Sequence, residues 1–177
     1  MPFDLRPKNP GDRIIKVNHA GEHGAISIYS GQILVSRLTA PKLCVELREF
    51  RAHEQGHRAI FSAELQRRGL SRCRSYWLCG IGGYALGVIT ALFGSNAIAA
   101  TTVAVESVVL RHLNLQLQHL QDLDAEAVTA ISTIIDEERM HHDLSASHLF
   151  ASRFWPRLIM PVVALSTETV IWIGMNI

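Results

Sequence analysis

Glu54-Gln-Gly-His57 and Glu138-Arg-Met-His141 are two copies of the motif Glu-x-x-His, and they decide the fold predicted for this chain of 177 residues. A lone glutamate precedes each copy by 32 residues, Glu22 in the first case (22 to 54) and Glu106 in the second (106 to 138). One such motif is weak evidence, since glutamate and histidine lie three apart on many solvated helices. Two copies with partners at an identical spacing indicate a three-residue unit that occurs twice.

The spacing within each unit predicts a pair of antiparallel helices. The lone glutamate comes level with its motif if the connecting turn lies halfway between them, near residue 39 in one unit and near residue 123 in the other. Pro41 follows the first point, and proline suits the first turn of a helix. Asp124 follows the second point as a candidate N-cap. Residues three apart share one helix face, so each motif presents both of its side chains inward.

Four inward-facing helices then supply four carboxylates and two imidazoles, which predicts a site for two metal ions. Buried carboxylates must be paired, neutralised or bound to metal, and four glutamates balance two divalent ions. Ferritin-like di-iron proteins use this ligand set. Manganese or zinc would suit some of these ligands, but a mixed oxygen and imidazole set favours two iron ions and dioxygen as co-substrate. The predicted ligands, catalytic through the metal, are Glu22, Glu54, His57, Glu106, Glu138 and His141.

We predict one all-α domain over residues 1–177, a ferritin-like four-helix bundle with two additional apolar, membrane-associated helices. The bundle helices are expected at about 11–38, 41–69, 96–121 and 124–150. The apolar helices are expected at about 76–93 and 155–176, with Gly94-Ser95-Asn96 as the break after the first. Gly69 is a plausible C-cap of the second helix.

The two apolar segments raise the question of a membrane. Residues 76–105 contain no Asp, Glu, Lys, Arg or His, and residues 158–177 carry only Glu168 as a charge. Either segment reaches the length of about 20 apolar residues that crosses a bilayer. The helix that holds Glu106 must also reach the metals, so we expect a monotopic protein whose third and last helices lie in or on the bilayer surface. The alternative is burial of both helices in the core or in a dimer interface.

Composition excludes several functions. Lys and Arg total 17 and Asp and Glu 16, a formal charge of +1, so no excess charge indicates nucleic acid as a partner. The three cysteines form no Cys-x-x-Cys pair and are expected to be reduced thiols. No apolar signal segment occupies the first ten residues, so neither secretion nor import is expected. Gly80-Ile-Gly-Gly83 follows no strand, so we reject a dinucleotide motif and expect close helix packing there, which leaves the electrons to an external donor.

Three further predictions concern side chains around the ligands. Tyr29 lies two helical turns after Glu22 on the same face, so it reaches either the metal site or the core. Metal-bound histidines usually donate their second ring nitrogen to a carboxylate or carbonyl, and the candidates are Asp136, Glu137 and Asp143. Five other histidines are expected in an outer shell or at the surface, and these are His53, His112, His119, His142 and His148.

The sequence around these residues resembles the Coq7 family of demethoxyubiquinone hydroxylases. The matching stretches are His19-Ala-Gly-Glu-His-Gly-Ala25, Tyr29-Ser-Gly-Gln32, His53-Glu-Gln-Gly-His57, Ala104-Val-Glu106 and Asp136-Glu-Glu-Arg-Met-His-His-Asp143. The resemblance implies a membrane-bound di-iron monooxygenase that hydroxylates the ring of demethoxyubiquinol, a polyprenylated quinol, late in ubiquinone biosynthesis. It assigns the ligand role to the same six residues, and it allows a homodimer or partner proteins of ubiquinone biosynthesis.

One position departs from that family. Members often carry a His-Tyr pair shortly after the glutamate of the fourth helix, where this chain has His112-Leu113. The missing import segment predicts a bacterial member at the cytoplasmic face of the cell membrane. Three other functions remain as alternatives: a membrane-surface quinol oxidase of the alternative oxidase type, a ferritin-like iron-binding protein, and a small membrane protein whose glutamates pair with arginine.

Overall fold

The computed structural model describes residues 10–149 and 154–177, and within these ranges the chain forms six α-helices and no strand. The predicted all-α class is therefore confirmed. The helices are α1 (Pro10–Thr39), α2 (Cys44–Arg67), α3 (Tyr76–Ala91), α4 (Ser95–Leu120), α5 (Ala125–Ser147) and α6 (Phe154–Asn176), with a 3-10 turn at Pro41–Leu43 before α2. Helix α5 ends before the expected residue 150, which itself lies outside the described residues.

The two turns predicted from the spacing are present. Helix α1 ends at Thr39, and α4 ends at Leu120, three residues before the expected midpoint. Asp124 caps α5, because its side chain accepts a hydrogen bond of 3.0 Å from the backbone N–H of Ala127. Each half of the chain thus folds back on itself at the place that brings its glutamate level with its Glu-x-x-His motif.

Gly69 ends α2 as predicted. Its φ of +64° lies in the left-handed region, which glycine adopts without steric cost. The N–H of Gly69 donates to the carbonyl of Gln66 at 3.0 Å, and the N–H of Leu70 donates to the carbonyl of Leu65 at 2.9 Å. This pair of bonds is the Schellman pattern, and it satisfies two carbonyls that the helix end would otherwise leave free.

Four helices close into a bundle, and the other two pack on its outside. Helix α1 contacts α2 and α4, and α5 contacts the same two helices, so α1, α2, α5 and α4 form a ring. This arrangement is consistent with a ferritin-like bundle. One end is tied by Arg68, which donates to Asp124 at 2.6 Å and to Asp12 at 2.9 Å and so joins α2 to α5 and α1. Helix α3 packs along α1, and α6 packs along α4.

Glycines allow α3 to approach α1 closely, as predicted from the Gly80–Gly83 stretch. A methyl group on Gly87 would lie 2.1 Å from the carbonyl oxygen of Ile28, and one on Gly83 would lie 2.5 Å from that of Gly24. A glycine of α1 shows the same close approach, since a methyl group on Gly31 would lie 2.5 Å from the carbonyl oxygen of Tyr84 on α3. A larger side chain at these positions would push the helices apart.

The outer faces of α3 and α6 are apolar and exposed. Trp77 and Ile81 on α3 are 65% and 71% exposed, and Leu165 and Trp172 on α6 are 69% and 66% exposed. Burial of both helices in the core of this chain is therefore wrong. Helix α6 is long and apolar enough to cross a membrane, as some helices of soluble proteins also are. Helix α3, with 16 residues, is too short for this.

Candidate metal centre

The six side chains predicted as ligands meet inside the bundle. Helix α1 supplies one of them, α4 one, and α2 and α5 two each, because each Glu-x-x-His motif places its two side chains on one helix face. None is more than 5% exposed. The structure thus brings together the six residues Glu22, Glu54, His57, Glu106, Glu138 and His141.

The six residues form two overlapping groups, and in each group one nitrogen or oxygen of every side chain lies within 4.8 Å of the others. The first candidate metal position consists of Glu22, Glu54, His57 and Glu138. The second candidate metal position consists of Glu54, Glu106, Glu138 and His141. Two glutamates are shared, and each position adds the lone glutamate and the histidine of one sequence unit. The repeat found in the sequence therefore corresponds to one metal position per unit.

The chemistry of the donor atoms fits metal ions. Nδ1 of His57 lies 3.0 Å from Oε1 of Glu138, and Nδ1 of His141 lies 3.2 Å from Oε1 of Glu54. Even so, both Nδ1 atoms and both carboxylate oxygens of each of these two glutamates are buried without a hydrogen-bond partner. Leaving such atoms unsatisfied costs about 1–3 kcal/mol each. Divalent ions would satisfy them together, so these residues fit a metal site.

The electrostatics of the cluster favour a cation as well. Burial, together with the neighbouring carboxylates of Glu54 and Glu138, raises the pKa of Glu22 well above its usual value, and the pKa of Glu106 rises for the same reasons. Burial would lower the pKa of His57, but the carboxylates of Glu138 and Glu54 outweigh it and raise the pKa to about 10. The metal-free cluster therefore keeps protons at neutral pH that divalent ions would displace.

The outer nitrogens of the two histidines have different partners. Nε2 of His57 donates to Oε2 of Glu137 at 2.8 Å, and Glu137 is one of the three predicted candidates. Nε2 of His141 lies 3.0 Å from Nδ1 of His53. His53 was predicted for an outer shell or the surface but not as this partner, although it directly precedes Glu54 as Glu137 directly precedes Glu138. The other two candidates do not take part, since Asp136 lies beside Arg139 and Asp143 contacts His142.

Tyr29 reaches the centre. Its hydroxyl donates to Oε1 of Glu106 at 3.0 Å, and its buried ring lies edge-on to Phe50 with the ring centroids 5.7 Å apart. Both sequence interpretations are therefore confirmed, because the ring packs in the core while the hydroxyl contacts a predicted ligand.

A cavity of about 440 Å³ lies beside the centre, between α1, α3, α4 and α6. Its volume is in the range of sites for small organic ligands. All four glutamates of the centre line one part of it. The remaining wall is mostly apolar, with side chains such as Val17, Ile28, Leu86, Val105, Val162 and Ile171. Its polar groups include Asn18 and Gln116, whose side chains bond each other at 2.8 Å.

The departure at His112-Leu113 lies on this cavity wall. Leu113 is 2% exposed and packs in the core, so this chain has an apolar group where members of the family that it resembles often carry a tyrosine. Nε2 of His112 lies 2.8 Å from Oε2 of Glu168, which also bonds Arg111. Glu168, the acidic residue of α6, is therefore directed at α4.

Comparisons with known proteins identify the family of the chain. Residues 10–174 match the family model described as ubiquinone biosynthesis protein COQ7. The chain is 32% identical to the NADPH-dependent 3-demethoxyubiquinone 3-hydroxylase of Dictyostelium discoideum, over 94% of this chain and 77% of that protein. It is 35% identical to the 3-demethoxyubiquinol 3-hydroxylase of Rhodospirillum rubrum, over 81% and 68%. It is also 35% identical to the human NADPH-dependent 3-demethoxyubiquinone 3-hydroxylase, over 84% and 69%. The chain therefore belongs to the COQ7 family of ubiquinone biosynthesis proteins.

Proposed function

We propose that this protein is a di-iron monooxygenase that hydroxylates the ring of demethoxyubiquinol in ubiquinone biosynthesis. The observation that carries the proposal is the contact between an apolar cavity and all four glutamates of the centre. An iron-storage protein has no use for such a cavity, whereas an enzyme that oxidises a lipid-soluble ring requires one. The names of its curated relatives agree with this reaction.

The six predicted ligands would hold the two iron ions. When bound, these ions supply the redox chemistry that activates dioxygen and serve as a template for the reacting groups. Glu54 and Glu138 belong to both positions, so each would help to hold both ions. Glu22 and Glu106 each belong to one position only. Both line the cavity, which places them next to a bound substrate.

The cavity walls orient the substrate and exclude water. Ile28, Leu86 and Val105 line the space beside the glutamates, so a quinol ring would lie against aliphatic groups with one edge toward the centre. Because α3 and α6 form part of the wall, the polyprenyl tail would leave between these two helices. The ring is then held close to the reacting centre, which lowers the entropic part of the barrier.

Protons and electrons have different sources in this proposal. One atom of dioxygen enters the ring and the other leaves as water, which consumes two electrons and two protons from outside the substrate ring. As ligands, Glu22 and Glu106 would give up the protons that they hold in the metal-free cluster, so the two protons come from the solvent. The electrons come from an external donor, and NADPH, named for the Dictyostelium and human relatives, belongs to the required two-electron class.

The apolar outer faces of α3 and α6 support a place at the membrane. The same two helices form the cavity wall, so a substrate dissolved in the bilayer would reach the centre without crossing water. We propose a peripheral protein that rests with these faces in the cytoplasmic leaflet of a bacterial cell membrane.

Expression of the chain in cells that accumulate the demethoxy precursor tests the function. Restored ubiquinone, with oxygen from isotope-labelled dioxygen in the new ring substituent, is the expected result. A Glu138→Ala variant of equal abundance serves as the control and should restore none. Label found only in water would instead identify a quinol oxidase, and the absence of bound iron would refute the metal centre.

A further inference from the structure

The two metal positions are related by the internal repeat, but their outer partners differ in charge. Each Glu-x-x-His motif is preceded by one residue, His53 in the first and Glu137 in the second. These two residues occupy equivalent places in the repeat, 84 residues apart (53 to 137). Each of them bonds the histidine of the other motif, so His57 has a carboxylate behind it and His141 has an imidazole behind it.

The directions of the rings fix the roles of the nitrogens. Both ligand histidines turn Nδ1 toward the carboxylates of the centre and Nε2 away from them. A metal ion at Nδ1 requires the proton of a neutral imidazole on Nε2, which then donates outward. His57 donates to an anion. His141 donates to Nδ1 of His53, which accepts only as the neutral tautomer with its proton on Nε2.

The geometry of the His53 contact is that of a direct hydrogen bond. The two rings are nearly coplanar, with an angle of 6° between their planes, and their centroids are 5.3 Å apart. With 3.0 Å between the two nitrogens, this separation places the rings end to end rather than face to face. His53 is therefore as well placed to orient His141 as Glu137 is to orient His57, and the difference between them is charge.

We propose that Glu137 and His53 are positioning residues that make the two metal positions unequal, so that the first position binds a divalent ion more tightly than the second. This inference rests on the metal centre of the proposed function. A carboxylate behind a ligating imidazole makes the imidazole a stronger donor and adds a negative charge near the cation. A neutral imidazole gives the same orientation without the charge. Solvent screens part of the effect, because the side chain of Glu137 is 50% exposed.

Cobalt(II) binding to metal-free protein tests the inequality without relying on activity. The variant Glu106→Gln removes the terminal carboxylate of the second position and leaves the first intact, and Glu22→Gln does the reverse. Both replacements keep the side-chain volume and remove a carboxylate ligand, and circular dichroism checks that the helices remain. We expect the Glu106→Gln protein to bind one cobalt ion about 10- to 100-fold more tightly than the Glu22→Gln protein, the range typical of such outer partners.

Changing the outer partners then identifies the cause. Adding Glu137→Gln to the Glu106→Gln protein should weaken cobalt binding by about 10-fold or more, the lower bound for such partners. Asp136→Asn, at a neighbouring carboxylate that is 92% exposed, is the matched control for loss of one charge and should change little. Adding His53→Glu to the Glu22→Gln protein should tighten binding, a gain that damage to the fold does not produce.

The outcomes separate this inference from the proposed function. Equal affinities in the two single-position proteins, equal effects of Glu137→Gln and Asp136→Asn, or no gain with His53→Glu would each overturn the inequality while the metal centre stands. If no protein binds cobalt, the metal centre itself is refuted, and the inequality with it.

Discussion

The glutamate and histidine cluster inside the bundle and the outer faces of α3 and α6 have the reverse of the usual polarity. Inside, four glutamates and two histidines are at most 5% exposed. Outside, large apolar side chains such as Trp77 and Leu165 are more than half exposed. Charged groups normally lie at the surface and apolar groups in the core, so the first region is suited to cations and the second to an apolar medium or partner.

The cavity connects these two regions. It has carboxylates at one end and side chains of α3 and α6 along its wall. A structural metal site would explain the buried cluster alone, and an oligomer interface would explain the apolar helix faces alone. Their connection through one apolar cavity is what a lipid-soluble substrate requires, so variants that alter one region and leave the other intact are the informative ones.

The largest effect is expected from Glu138→Ala, which alters the interior alone. Glu138 belongs to both metal positions, so its loss should abolish binding of both ions and reduce hydroxylation by more than about 100-fold, beyond the usual effect of an outer partner. Iron analysis of the purified protein and the rate of hydroxylation measure it. Vesicle binding should be unchanged, and retained iron at normal stoichiometry would contradict the assignment.

The role of the cavity in the reaction is tested by Gly21→Leu. Gly21 lines the cavity, and a Cβ atom there would meet nothing within 4 Å, so leucine enters open space. We expect loss of most hydroxylation with iron content unchanged, while stability rises by about 0.5–1 kcal/mol because glycine leaves a helix interior.

The matched control for the cavity variant is Gly56→Leu. Gly56 also has open space around it but does not line the cavity, so leucine there should stabilise the helix without loss of activity. Equal activity of the two leucine variants would show that the substrate does not use this cavity.

A moderate effect is expected from Leu165→Glu, which alters the outer face alone. Leu165 is 69% exposed on α6, and an apolar side chain of this size contributes about 1.5–3 kcal/mol when it enters an apolar medium. Binding to phospholipid vesicles should weaken by about 10-fold or more, with iron content unchanged. Leu38→Glu, at a position that is 89% exposed at the end of α1, is the control and should not weaken it.

The smallest effect concerns pH and the metal-free protein. The pKa of His57 is raised to about 10, so its contribution to stability is complete below its unfolded value of 6.5 and is lost as pH rises through 10. Glu22 and Glu106 act in the same direction, because carboxyl groups with raised pKa values favour the folded state less as pH rises. Between pH 7 and 9, the Tm of metal-free protein should fall by about 3 °C or more, while that of metal-loaded protein should change less. An equal change in both forms would contradict this account.

The sequence predicted the interior better than the surroundings. The repeat spacing and turn residues such as Asp124 predicted the helices and the six residues that meet in the centre. These signals could be read from the sequence because they depend on local backbone geometry. His53 was missed as a partner, since its role depends on how α2 faces α5 rather than on its own helix. The cavity could not be predicted either, because its walls combine side chains of four helices whose separation is set by glycine contacts such as Gly87 against Ile28.

The most direct test of the central claim uses purified, iron-loaded protein on vesicles that contain demethoxyubiquinol, with NADPH as reductant and isotope-labelled dioxygen. We expect one labelled oxygen atom in the ring of each product molecule made by the parent protein, and almost none with Gly21→Leu although its iron is retained. Label in water alone would contradict the account, as would labelled quinone produced at the same rate by both proteins.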